Sequence, residues 1–233
     1  MDKLSKLLIF STGTKTGGGS GFEKLVENNR TGILKAEIVG VVSNLSGGRV
    51  EEKADRFGVP FYLFSDPYTA ENYKKYINET KAGFIALSGW LKFIKGLDPT
   101  KTINIHPGPL PDFGGKGMYG HNVHEAVIKA CQQDKIKFSA VTMHFVTEDK
   151  YDAGPVFFSL PVAIFHSDTP ETLAARVNEC EHGWQSFITN LVVTGQISWD
   201  GKGKVVVPDW YKKMPFCPAS CTSCKRKPFM FFF

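Results

Sequence analysis

Asn104, His106 and Asp152 are the residues whose types and spacing could do chemistry. Asn104 and His106 lie in Asn104-Ile105-His106-Pro107, and Asp152 opens Asp152-Ala153-Gly154-Pro155. An amide, an imidazole and a carboxylate suit acyl transfer. One group holds a developing oxyanion, one moves protons, and one tunes the proton mover. Lys101 to His106 reads as a buried strand that Pro107 stops. Strands repeat every two residues, so Asn104 and His106 share a face at its carboxyl end. Ligands of open α/β sheets bind outside that end. A strand end whose polar groups merely satisfy nearby backbone is the bland alternative. A Pro-rich loop and a second Gly-Pro turn carrying an acid favour the catalytic one.

The elements that must position these groups alternate. Lys6–Ser11, Ala36–Ser43, Pro60–Leu63, Gly83–Leu87 and Thr102–His106 read as strands. Gly21–Asn28, Arg49–Phe57 and Ala70–Thr80 read as helices between them, with a short helical turn near Trp90–Lys95. That order predicts an α/β fold, a parallel sheet with helices on both faces. Pro107 to Asn122 is rich in Gly and Pro and reads as a loop. Val123–Ala130 then reads as a helix, and Lys137–Phe145 and Val156–Pro161 as adjacent strands. Asp168-Thr169-Pro170-Glu171 predicts a helix start with Asp168 as the N-cap. The helix runs to about Thr194 and stops at Gly195. From Trp210 onward the composition is loop-like, which places the tail outside the core.

The 233 residues suffice for a substantial core, and 42% hydrophobic with 22% charged residues is ordinary for a globular protein. No apolar run is long enough for a transmembrane helix. Leu7 to Phe10 is too short for a signal-peptide core and reads as a first strand, so the cytoplasm is the expected location. The net charge of +5 is concentrated in the tail, with five basic residues after one acid from Asp209 onward. That balance argues for small anionic substrates, with neither nucleic acid nor membrane as partner.

These motifs, with Leu110-Pro111 and His144-Phe145-Val146-Thr147, resemble the folate-dependent formyltransferases over roughly residues 6 to 207. Within them, Gly114 to Gly120 leading into Val123-His124-Glu125-Ala126, and Ser167-Asp168 leading to Arg176-Val177 and Glu181-His182, are similar to the branch that formylates glycinamide ribonucleotide. The resemblance implies a Rossmann-like formyltransferase domain over residues 1–207, with residues 208–233 a basic tail. It implies transfer of formyl from 10-formyltetrahydrofolate to the ribonucleotide amine in purine synthesis, by a monomer or homodimer. Asn104 would donate to the formyl oxygen, and His106 would act as cation or proton donor. Asp152 would hold the imidazole and raise its pKa. A sugar-nucleotide formyltransferase, a formyltetrahydrofolate hydrolase and a non-catalytic folate or nucleotide binder are the alternatives.

The Gly13–Gly21 loop, alone, is compatible with a flexible linker or with a phosphate cradle. By resemblance Gly17, Gly18, Gly19 and Ser20 bind the ribonucleotide phosphate. The loop is longer than usual, and Gly21 stands where the family often has Asn. The resemblance further implies that Leu91, Lys92, Phe93 and Ile94 line the folate pocket with Asn104. Glu148, Asp149, Lys150 and Tyr151 form the loop closing over the pterin, one residue longer than the common form. Asn178 and Glu181 reach the ribose and phosphate. No arginine for the folate tail stands near Tyr68–Ala70. His121, His124, His144, His166 and His182 read as loop and helix residues without metal-ligand spacing, so no metal is expected. Cys217, Cys221 and Cys224 have a spacing that could hold a cluster or part of a zinc site. A disordered tail with incidental thiols is the simpler reading.

Overall fold

A computed structural model describes residues 3–218. Cys221 and Cys224, and with them the cluster or zinc reading, lie outside the described residues. The chain runs β1 (Ser5–Phe10), α1 (Ser20–Arg30), β2 (Ala36–Ser43), α2 (Arg49–Phe57), β3 (Phe61–Leu63), α3 (Ala70–Thr80) and β4 (Phe84–Leu87). It continues through β5 (Thr102–His106), α4 (His121–Gln132), β6 (Phe138–Phe145), β7 (Val156–Ala163) and α5 (Pro170–Val193). One seven-stranded sheet has the order β3-β2-β1-β4-β5-β6-β7. The first five strands pair in parallel; β6 and β7 are antiparallel. The expected α/β architecture is therefore the one observed.

The strands read as continuous apolar runs because both faces are covered. In β1, Leu7 and Ile9 enter one core layer and Leu8 and Phe10 the other, all four fully buried. From β1 the chain builds outward through β2 and β3, then returns to the opposite side of β1 as β4. The loops leaving β1 and β4 diverge at that switch point, opening a crevice beside the end of β5.

Three sequence expectations are corrected. Trp90–Lys95 is not a helical turn. The Trp90 indole donates to the Tyr73 hydroxyl at 3.0 Å, and the Leu91 amide to Thr12 Oγ1 at 3.0 Å. These groups go to distant partners instead of a helical ladder, and Gly89 and Gly96 bracket the segment with positive φ. The N-cap of α5 is Thr169, not Asp168. Thr169 and Thr172 form a reciprocal capping box, which frees Asp168 to take the Arg176 guanidinium on both oxygens. That pair holds the Asp168 carboxyl well below the usual range.

The third correction concerns residues 208–217. A 3₁₀ turn at Tyr211–Lys213 buries the Tyr211 ring, whose hydroxyl donates to the Phe157 carbonyl at 2.8 Å. Phe216 packs on Phe158 and Trp184, and its carbonyl accepts from the Ser159 amide of β7. Aromatic side chains, invisible in a composition average, bind this segment to the core.

The Gly-Pro turn after Asp152 is fixed by sterics. A Cβ on Gly154 would overlap the Phe145 carbonyl, backbone that cannot step aside while the Phe145 amide donates to Pro155 O. Gly154→Ala should cost about 3 kcal/mol through overpacking. Chemical denaturation checks this; an unchanged midpoint would show the turn to be pliable.

Candidate active site

Asn104 and His106 stand on β5 where strand alternation puts them, facing one side at its carboxyl end. Antiparallel pairing sets His144 of β6 opposite Asn104 and Thr142 opposite His106. Asp152 arrives on the loop between β6 and β7. Its backbone φ of +54° is a left-handed conformation that few residues other than Gly adopt, and Asp tolerates it better than most.

The carboxylate is the hub. One oxygen lies 3.7 Å from His106 Nδ1 and accepts the Gly115 amide at 3.0 Å. The other lies 3.5 Å from His144 Nε2 and 3.4 Å from Asn104 Nδ2. His106 Nε2 donates to the Phe113 carbonyl at 2.8 Å, which leaves Nδ1, facing Asp152, as the nitrogen that exchanges its proton. His144 Nδ1 donates to the Phe145 carbonyl at 2.8 Å, so its Nε2 accepts from Asn104 Nδ2 at 3.1 Å.

Burial decides the protonation states. His106 is only 4% exposed, and loss of hydration pushes its pKa down. Asp152 and the Phe113 carbonyl push up and only partly offset this. The expected upward effect of Asp152 is therefore present but outweighed, and the net shift is opposite to expectation. Burial also raises Asp152, yet His144, the nearby His106 and the Gly115 amide outweigh it and hold the carboxyl below its usual range. At neutral pH the site presents an ionised carboxylate and an uncharged imidazole. Behind them, burial and then the neighbouring His106 and His121 depress His124 to about 4.

A cavity of about 290 Å³ lies over this group. Gly18, Gly19, Ser20, Leu91, Asn104, His106, Tyr151, Asp152, Asn178 and Glu181 all line it. Lys92, Phe93, Ile94 and Lys150 line a smaller adjoining pocket of about 40 Å³, narrowed by the Phe93 and Tyr151 rings 4.9 Å apart. Gly17, Glu148 and Asp149 line neither. Gly17 closes a tight turn, its amide donating to Thr14 Oγ1, and Glu148 instead accepts the Gly96 amide. Gly18 and Gly19 take φ of +97° and +72°, and a Cβ on Gly18 would meet the Thr12 carbonyl at 2.5 Å. Asn178 donates to Glu181 at 3.4 Å; burial raises the Glu181 carboxyl to about 7.

Sequence reasoning missed His144 as the partner of Asn104. The signal lay in β6 following β5 as a strand, but the register that seats His144 opposite Asn104 is not readable from either strand alone. It also missed the Phe113 carbonyl and Gly115 amide, because backbone groups carry no residue-type signal. Among the described residues, no three His, Cys, Asp or Glu side chains gather as a metal site.

The family described as formyl transferase matches residues 6–190. The chain belongs to the formyl transferase family. It is 32% identical over 222 residues to a chloroplastic phosphoribosylglycinamide formyltransferase of Arabidopsis thaliana, covering 88% of this chain and 73% of that one. The same-named protein of Vigna unguiculata is 33% identical, over 85% of this chain and 64% of its own length, so the chain spans just under two thirds of that relative. The crystal structure of phosphoribosylglycinamide formyltransferase from Brucella melitensis superposes with a TM-score of 0.69 at 28% identity, over 83% of this chain and 97% of that one. The Asn104–His106–Asp152 group of this formyl transferase thus stands at the end of β5 and on the β6–β7 loop of the same fold.

Proposed function

We propose that this formyl transferase moves a formyl group from 10-formyltetrahydrofolate to the amine of glycinamide ribonucleotide. One observation carries the reading. A single cavity joins the Asn104–His106–Asp152 group at one end to the amino terminus of α1 at the other. A helix amino terminus favours a phosphate, and the first group suits acyl transfer. A phosphorylated amine acceptor spans both. The names of the plant relatives agree.

The amine attacks the formyl carbon, and the carbonyl electrons become an oxyanion. Asn104 donates to that oxygen; its long contact with Asp152 is the one the substrate displaces, while His144 keeps the amide oriented. The proton released by the amine passes to His106 Nδ1, beside the Asp152 carboxylate. Collapse breaks the bond from the formyl carbon to the folate nitrogen, which takes a proton from the imidazole. Leu91 and Tyr151, with Lys92, Phe93, Ile94 and Lys150 around the adjoining pocket, border the pterin. The same reading puts Gly18 to Ser20 at the phosphate and Asn178 with Glu181 at the ribose. No helix among the described residues is long and apolar enough to cross a membrane. We propose the cytoplasm as the compartment, although both plant relatives are named chloroplastic.

The test is folate release from a 10-formyl folate, followed by absorbance with and without glycinamide ribonucleotide. Release that requires the ribonucleotide supports transfer. Release without it would replace the reading with hydrolysis, and no release would favour another acceptor or a binder.

A further inference from the structure

Gly21 stands in the first turn of α1, and the structure shows what fills the space a side chain would take there. A Cβ on Gly21 would fall on the Ser88 hydroxyl and lie 3.0 Å from Gln185 Oε1. Ser88 follows β4 and Gln185 lies on α5, so side chains from two distant elements occupy the volume beside the first turn of α1. Both line the large cavity.

Gln185 is 2% exposed and Ser88 is 4% exposed. The Ser88 hydroxyl donates to Gln185 Oε1 at 3.3 Å. That bond uses the carbonyl end of the carboxamide. The amide nitrogen, with two hydrogens, has no acceptor among the described residues. That nitrogen is not one of the fully buried atoms left without a partner, so it opens onto the cavity that Gln185 lines, where a ligand can take its hydrogens. Next to it, the N-cap of α1 is Gly19, which has no side chain to cap the helix. The first helical bond is Glu23 N to Gly19 O, so the amides of Ser20, Gly21 and Phe22 lack intrahelical acceptors. One buried side-chain donor and three backbone donors thus converge at one end of the cavity.

We propose that Gln185 is a specificity-determining residue of the acceptor site, its carboxamide nitrogen donating to a phosphoryl oxygen of a phosphate monoester seated on the α1 amino terminus. Ser88 is the positioning residue that turns the carboxamide so that its nitrogen faces the ligand. Gly21 makes the arrangement sterically possible. The assignment rests on the transfer reading above, and it adds a phosphate contact from α5.

Gln185→Met removes the donor at similar length. The measurements are kcat and KM for glycinamide ribonucleotide and for its dephosphorylated ribonucleoside, with calorimetric binding of ribose 5-phosphate. A hydrogen bond to a charged group predicts a rise of about 10- to 100-fold in KM for the ribonucleotide. The effect falls on KM rather than kcat, the ribonucleoside shows no such rise, and ribose 5-phosphate binding weakens by a similar factor. Equal change with both acceptors, or no change with either, overturns the proposal. Gln185→Leu, which also removes the donor without adding a charge, is read the same way if the methionine variant fails to fold. Should wild type transfer nothing to the ribonucleotide, the transfer reading falls, and ribose 5-phosphate binding still decides this one. Weakened binding in the variant supports it, whereas absence of binding to wild type overturns it.

Discussion

Asn104→Ala lowers turnover about 10²- to 10³-fold, the usual cost of one preorganised oxyanion donor. The residue is held for that task from two sides. His144 Nε2 takes one amide hydrogen at 3.1 Å, and Asp152 makes a looser contact at 3.4 Å. A donor aimed before substrate arrives needs no reorganisation during reaction, so its loss falls on kcat more than on KM. Steady-state kinetics with the formyl folate and the ribonucleotide read the split. If kcat survives, Asn104 does not carry the oxyanion. An effect confined to KM would reassign it to ground-state binding.

Asp152→Asn should lower turnover roughly 10²- to 10⁴-fold, the range typical of positioned acid–base catalysis. It should also move the pH profile in a defined direction. Burial depresses the pKa of His106, and the Asp152 charge is the first force opposing that depression. An uncharged amide removes the opposition, so the imidazole pKa falls further. The limb of kcat against pH that follows His106 then shifts to lower pH. A merely structural Asp152 would reduce activity without moving the limb. A stationary limb, or one displaced upward, contradicts the assignment.

Much of this site was legible because strand alternation is a local rule. Two residues apart on a strand means the same face, and that alone paired Asn104 with His106. The parallel sheet was legible for a similar reason, since apolar runs and amphipathic helices alternate in chain order. What stayed hidden depends on contacts between distant segments. His144 needs the register between β5 and β6. Gln185 shares a space with Ser88 and Gly21, three positions with no common motif. Trp90–Lys95 has the look of a helical turn, but its polar groups are claimed by Tyr73 and Thr12. Asp168 is a reasonable cap by type, but Arg176 holds it, and neighbouring Thr169 serves instead. Gly17 belongs to a glycine-rich stretch whose members look interchangeable, though only those from Gly18 onward reach the cavity.

The segment around Tyr211 and Phe216 also bears on the outer edge of the sheet. β7 is the outermost strand on its side of the sheet. An open strand edge offers unpaired amides and carbonyls to any other strand, which is a route to aggregation. Phe216 takes up the Ser159 amide on that edge, and its ring joins Tyr211, Phe158 and Trp184 in an aromatic seal. A chain ending at Val207 would keep every group of the active site yet lose this guard. Residues 208–217 therefore cover part of the strand edge at which pairing with another chain would begin.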